Sequence, residues 1–178
     1  MGLIPPEVAA LVGVWTQAET ACDPVEAGAV RRFAQAIMDD DPAYAADAGA
    51  DVHSRYGGPI APPLFPNHML RRPYGTPDRL HERAGADPDF DGVVPATESL
   101  PPLAAFAHLP VLNGGSEFEF YRYARHGESV AVRQRYASIE EKQTSKGSLI
   151  VVVIEAEIRT AADELLLRSR RTLLRRVP

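Results

Sequence analysis

The last third of the chain constrains the fold most, because it reads as successive β-strands. Four segments carry strand patterns, at residues 116–123, 129–140, 148–160 and 165–176. The third of these starts as an apolar run and ends in alternation, with Ile154, Ala156 and Ile158 on one side and glutamates on the other. Such alternation is typical of strands with one buried face. We therefore predict a meander of four antiparallel strands, with a turn at 161–164.

One amphipathic helix precedes these strands and follows a short strand predicted at 14–22. Asp23 is placed to cap the helix, Pro24 suits its first position, and Glu26 has capping-box spacing. The helix should end near Met38, because Pro42 disfavours helical geometry in the residue before it. Its apolar stripe recurs at helical spacing and comprises Val25, Ala29, Val30, Phe33, Ala36 and Ile37.

A proline-rich segment separates the helix from the strands. Residues 59–110 hold 11 of the 16 prolines, a density that excludes long elements. Short helices are predicted at Phe65–Leu70, Pro77–Ala84 and Leu103–His108. Helices first and a sheet afterwards indicate the α+β class. At 178 residues we expect a single domain over 1–178, with an insert at about 71–110.

Composition excludes several functional classes. The net charge of -5 argues against nucleic-acid binding, which needs a basic surface. Cys22 is the only cysteine, so no disulfide framework or cysteine-rich metal site is expected. No apolar run is long enough for a membrane span, and the N-terminus lacks the basic start of a signal peptide. We expect a soluble, cytoplasmic protein without a membrane partner, and no motif calls for a cofactor.

One segment of the sequence matches a metal-binding motif, the calcium-binding loop. Residues 87–98 place Asp87, Asp89, Asp91, Gly92 and Glu98 at calcium-loop positions. A proline inside this loop and the absence of a second copy favour a solvated acidic loop, while calcium binding stays open. The five histidines show no metal spacing, so no zinc site is predicted.

The order of motifs carries a family resemblance. The helix leads into MDDDPAY (38–44), with Ala50 six residues further on, and YGGPIAPPLFP (56–66) and LNGGSEFEFYRYARHGESV (112–130) follow. In this order the chain resembles the MaoC-like hot-dog dehydratases, specifically their FAS1-like N-terminal type. The resemblance implies a hot-dog fold, a curled antiparallel sheet wrapped around a helix with a proline-rich loop and short-helix insert.

The resemblance also implies a catalytic position and shows how this chain departs from it. Active members use an aspartate and a histidine to deprotonate the water that adds to an enoyl thioester. Asp39 matches that aspartate, but Tyr44 replaces the histidine, Met38 a glycine and Asp41 an asparagine. An imidazole, with a pKa near 6.5, serves as a base at neutral pH, whereas a phenol, with a pKa near 10, does not. Asp39 and Tyr44 are therefore expected to form a degenerate pair.

Because the pair is degenerate, the resemblance implies that this chain is the non-catalytic, acyl-accommodating subunit of an enoyl-CoA hydratase or 3-hydroxyacyl-thioester dehydratase. Silent members of the family pair with a catalytic hot-dog chain, as a heterodimer or heterotetramer, and accommodate the acyl group of an acyl-CoA or acyl-carrier-protein thioester. Substrate contacts are predicted at Leu64, Phe65, His68 and Met69. Together with Leu70, Leu100, Leu103 and Phe106, these apolar residues wall a wide cavity or simply pack as core. Three alternatives remain: a self-sufficient hydratase homodimer using Asp39, a non-enzymatic dimer that binds an acyl thioester or lipid-like ligand, and a thioesterase. Fatty, polyketide, aromatic and steroid acyl groups are equally compatible with the sequence.

Five arginines cluster on the last strand, at positions 168, 170, 171, 175 and 176. They suit either the phosphates of CoA or cross-strand pairing with Glu155 and Glu157. Cross-strand pairing is favoured, although five arginines exceed two glutamates.

Overall fold

The computed structural model describes residues 2–69, 75, 77, 79–89, 99–145 and 147–177. The helices are α1 (Pro6–Ala9), α2 (Ala27–Ile37), α3 (Ala50–Ser54), α4 (Phe65–His68) and α5 (Arg79–Ala86), with 3-10 turns at Pro42–Tyr44 and Ala104–Phe106. The strands are β1 (Glu19–Thr20), β2 (Val111–Phe120), β3 (Val130–Thr144), β4 (Gly147–Thr160) and β5 (Leu165–Arg176). The α+β class is as predicted. No helix among the described residues has the length and apolar character needed to cross a membrane.

The sheet order is β1-β3-β4-β5-β2, which corrects the predicted meander. Strands β3, β4 and β5 are successive antiparallel neighbours, joined by the expected turn at 161–164. Strand β2, however, pairs with β5 rather than with β3. The free edge of β3 is occupied by the N-terminal segment, where β1 pairs with Ala131 and Val132, so β2 lies at the opposite edge of the sheet.

The boundaries of β1, β2 and α2 also differ from the prediction. The strand expected at 14–22 is reduced to β1, and β2 begins before residue 116, at Val111, continuing through a bulge near Gly114. Helix α2 starts at Ala27 with Glu26 as its N-cap, not at Pro24. Val25 is held in extended backbone pairing, because it donates to Glu128 O (2.9 Å) and accepts from the Gly127 N–H (2.8 Å).

One face of the sheet is apolar and is covered at both ends. At one end α2 packs on it through Val30, and Val25 just before the helix joins the same buried cluster with Val130, Ile158 and Leu167. At the other end the cover comes from α1 and the segment around the second 3-10 turn, through Val8, Leu100, Leu103, Phe106 and Leu109. Leu100, Leu103 and Phe106 are thus buried as core, in agreement with the simpler of the two sequence interpretations.

The opposite face is charged, yet two of its glutamates are buried. Glu155 and Glu157 are only 2% and 4% exposed. Arg135 and Arg170 donate to Glu155 (2.6 and 2.9 Å), so the favoured cross-strand pairing is confirmed. Trp15 lies over this face, with its ring centre 4.5 Å from the Arg135 guanidinium carbon.

Glu157 is paired more extensively. It accepts from Arg133 (2.7 Å), Arg168 (2.9 Å) and Arg159 (3.1 Å). Burial by itself raises the pKa of Glu157, but these hydrogen bonds outweigh burial and lower the pKa to about 2. Of the remaining clustered arginines, Arg175 donates to the Phe106 and Leu109 carbonyls.

Candidate active site at the end of the long helix

Helix α2 ends in a left-handed residue that redirects the chain. Met38 has φ 57 and ψ 39, and its N–H donates to Gln35 O. Asp39 N–H then reaches back to Ala34 O (3.0 Å), which closes a C-cap of the kind usually formed around glycine. This cap places the three aspartates on a turn outside the helix.

Two of these aspartates organise the turn itself. The Asp41 side chain accepts from the Ala43 N–H (2.9 Å) and caps the 3-10 turn Pro42–Tyr44. Asp41 N–H in turn lies 3.3 Å from an Asp39 carboxylate oxygen. Backbone donors thus partner carboxylates that would otherwise repel one another.

The 3-10 turn brings the predicted pair together. The Tyr44 hydroxyl donates to Asp39 Oδ2 at 3.0 Å. Burial, reinforced by this hydrogen bond and by the charges of Asp39 and Asp41, raises the pKa of Tyr44 well above the ordinary phenol value. The raised pKa keeps Tyr44 protonated at neutral pH, where its hydroxyl donates to Asp39.

A cleft of about 540 Å³ opens beside this pair. One wall is α2 and the other is the turn with Ala45, Ala46 and Asp47. The residues of this wall recur at helical spacing and comprise Ala27, Gly28, Arg31, Ala34 and Gln35 of α2 and the C-cap residue Met38. This wall was not predicted from the sequence, because only the buried stripe of the helix was considered there. The sequence signal for this wall is a second stripe of residues, which recur one helical turn apart along another face of α2.

The structure places the four predicted substrate contacts away from this cleft. Phe65 and Met69 are buried in the core cluster beneath α2, where the Phe65 ring meets Phe33 edge-on at 5.5 Å. His68 is exposed with its ring 5.4 Å from Phe33, and Leu64 is 40% exposed. Substrate contact by these residues remains a prediction.

The acidic loop is described only in part. Asp89 N–H donates to the Asp87 carboxylate (3.0 Å), whereas Asp91, Gly92 and Glu98 lie outside the described residues. Within the part of the chain that the structure describes, no group of three or more His, Cys, Asp or Glu is arranged to hold a metal ion.

Comparison with known proteins identifies the family of this chain and solved structures that share its fold. The family model described as "FAS1-like, dehydratase domain region" matches residues 10–168. No match was found among curated proteins.

Several solved structures share the fold. One is the ChsH1-ChsH2 complex from Mycobacterium tuberculosis, at 22% identity and TM-score 0.69, covering 97% of this chain and 93% of the matched chain. Another is the MaoC-like dehydratase from Rhodospirillum rubrum, at 21% identity and TM-score 0.60, covering 99% of both chains. The C-terminally truncated HadBC (3R-hydroxyacyl-ACP dehydratase) complex from M. tuberculosis matches at 18% identity and TM-score 0.54, covering 92% of this chain and 96% of the matched chain.

Proposed function

Because this chain belongs to the FAS1-like dehydratase-region family of MaoC-like hot-dog proteins, we propose that it is the non-catalytic subunit of an enoyl-thioester hydratase or 3-hydroxyacyl-thioester dehydratase. In this role it accommodates the acyl group and pairs with a catalytic hot-dog chain. The α+β hot-dog fold predicted from the sequence is confirmed. We also propose that residues 1–178 form one domain and that the protein acts in the cytoplasm.

The contact between Tyr44 and Asp39 carries the proposal. Adding water across an enoyl double bond requires a group that takes a proton from water at neutral pH. Tyr44 occupies the position of that base, and its raised pKa keeps it protonated. Its hydroxyl also occupies one Asp39 carboxylate oxygen at 3.0 Å. The proton acceptor would then come from a second chain.

The exposed edge strand supports such a partner. All ten residues of β2 are exposed, and β2 pairs only with β5 among the described strands. Its apolar side chains are uncovered: Val111 (49%), Leu112 (50%), Phe118 (39%) and Phe120 (52%). A long apolar edge strand is a template for strand addition by another chain. The ChsH1-ChsH2 and HadBC structures, which share the fold, are themselves described as complexes.

The test is hydration of a short and a long-chain or steroid enoyl-CoA by this chain alone and with a co-expressed catalytic hot-dog chain. We expect no turnover alone and turnover in the complex. Asp39→Asn should leave the activity of the complex within about twofold, like the neighbouring control Asp40→Asn, because neither residue takes part in proton transfer. Turnover by the isolated chain that Asp39→Asn abolishes and Asp40→Asn spares would instead establish a self-sufficient hydratase.

Homodimerisation through β2 is the specific alternative, since an exposed edge serves a second copy as well as a different chain. A stable homodimer that binds an acyl thioester without turnover, and that recruits no catalytic chain, would favour the binding protein. The same assay with acyl-carrier-protein thioesters identifies the carrier.

A further inference from the structure

A second cleft, of about 240 Å³, lies between the loop at 55–60 and the segment 121–125 that follows β2. Besides Ile60, it is lined by three arginines and three tyrosines: Arg55, Arg122, Arg125, Tyr56, Tyr121 and Tyr123. Backbone hydrogen bonds tie the two walls together, from Ala61 N–H to Ala124 O (2.8 Å) and from His126 N–H to Pro59 O (3.0 Å). The cleft is therefore held in place by main-chain pairing and not by side chains alone.

The charge in this cleft is only partly compensated. Arg122 donates to Glu128 (2.9 Å) and to Glu164 (2.7 Å), so its charge is matched. Arg55 and Arg125 have no ion pair to any described carboxylate. Two guanidinium groups thus remain available for an anion in a chain whose net charge is -5. The Arg125 guanidinium packs against Gly57, where an added Cβ would lie 3.4 Å from its terminal nitrogen.

The tyrosines supply flat apolar surface beside these charges. Tyr56 and Tyr123 meet edge to face with ring centres 5.4 Å apart. Tyr121 and Tyr123 are 51% and 37% exposed, so part of each ring is open to a ligand. Guanidinium groups match phosphate oxygens, and aromatic rings stack on a planar base. A ligand with a phosphate and a planar ring uses both features, whereas inorganic phosphate uses only one.

We propose that this cleft binds a nucleotide, with Arg55 and Arg125 on the phosphate and Tyr121 and Tyr123 against the planar base. The nucleotide has two possible sources, a free nucleotide or the adenosine end of coenzyme A. Only the second source rests on the proposed function, and it would make the carrier CoA and not an acyl-carrier protein.

Calorimetric titration of the full chain with ADP, adenosine and inorganic phosphate tests the cleft. We expect ADP to bind more tightly than either fragment. The double variant Arg55→Gln/Arg125→Gln should weaken ADP binding roughly tenfold or more, because it removes two charge-assisted contacts. Arg32→Gln/Arg176→Gln, which removes two exposed arginines outside the cleft, is the charge-matched control and should bind ADP like the wild type. Equal ADP affinity in the double variant and the control, or no ADP binding at millimolar concentration, would overturn the proposal.

Two further measurements distinguish a free nucleotide from the adenosine end of CoA and check that the variants are folded. Tyr123→Leu should weaken ADP binding while Tyr123→Phe retains it, and unfolding midpoints close to wild type show that each variant is folded. Competition between ADP and CoA for the cleft supports the CoA source, whereas ADP binding without competition overturns that part and leaves the nucleotide site. ADP binding to the isolated chain is independent of turnover, so its outcome is distinct from failure of the proposed function.

Discussion

Replacing Glu157 by glutamine should remove stability in a pH-dependent way. Burial would raise the pKa of Glu157, yet its arginine contacts hold the pKa at about 2, against an ordinary value of 4.5. Each pKa unit corresponds to about 1.4 kcal/mol, so the ionised glutamate contributes about 3 kcal/mol at neutral pH. Because the pKa is lowered by folding, this contribution is complete above about pH 4.5 and is lost as the pH falls towards 2.

Denaturant unfolding of the wild type and Glu157→Gln at a series of pH values measures this effect. Glutamine imitates the protonated acid, so the variant should be about 3 kcal/mol less stable at pH 7 and should converge with the wild type in acid. Glu140→Gln, which changes an exposed glutamate on β3, is the control and should show a small difference at every pH. All samples need one protein concentration, because association shifts apparent stability. A Glu157→Gln difference that stays constant with pH, or that matches the control, would refute the reasoning.

Three further predictions concern the helix end, the edge strand and the site tyrosine. Met38→Gly should raise the free energy of unfolding by about 1 kcal/mol, because Met38 is 91% exposed at φ 57; Asp163→Gly, at φ 63, should gain less in the same denaturant assay, since aspartate tolerates this conformation. Phe118→Lys should raise the monomer fraction in size-exclusion chromatography with multi-angle light scattering, whereas Val14→Lys, at an exposed residue outside β2, should not. Tyr44→Phe should remove the most alkaline step from the tyrosinate absorbance titration, because burial raises the pKa of Tyr44. The hydrogen bond from Tyr44 to Asp39 contributes fully to stability below the ordinary phenol pKa. This contribution is lost as the pH rises through the raised pKa of Tyr44. An alkaline titration unchanged by Tyr44→Phe would contradict the assigned environment.

The strands could be predicted from the sequence because each carries its own alternation, but their order could not. Alternation states which side chains share a face and leaves open which strand lies beside which. The pairing of β2 with β5 depends on the N-terminal segment occupying β3, a contact between residues more than 100 positions apart. The burial of Glu157 could not be predicted from alternation either, because it depends on which strands lie side by side. The arginines that cover it come from three different strands, β3, β4 and β5.

The candidate site was predictable where it depends on neighbours in the chain. Asp39 and Tyr44 are five residues apart, and one turn suffices to bring them within 3.0 Å. The arginine and tyrosine cleft was not predictable, because Arg55 and Tyr123 lie in distant segments that are brought together by tertiary contacts, among them the bridge between Ile60 and Arg125. A local motif therefore indicated the first site, and only tertiary structure revealed the second.

Under the proposed function, the geometry around Asp39 separates two ways in which an enzyme site can lose its activity. A site that has decayed structurally no longer brings its residues together, but here the α2 cap, the Asp41 turn and the Tyr44 contact hold Asp39 in place. What is missing is a group whose proton affinity suits neutral water. A preserved turn with a phenol in place of an imidazole is better explained by a retained structural role beside a catalytic partner. On this view Tyr44→His in the isolated chain restores the residue type without the partner's half of the site, and we expect no turnover from that variant alone.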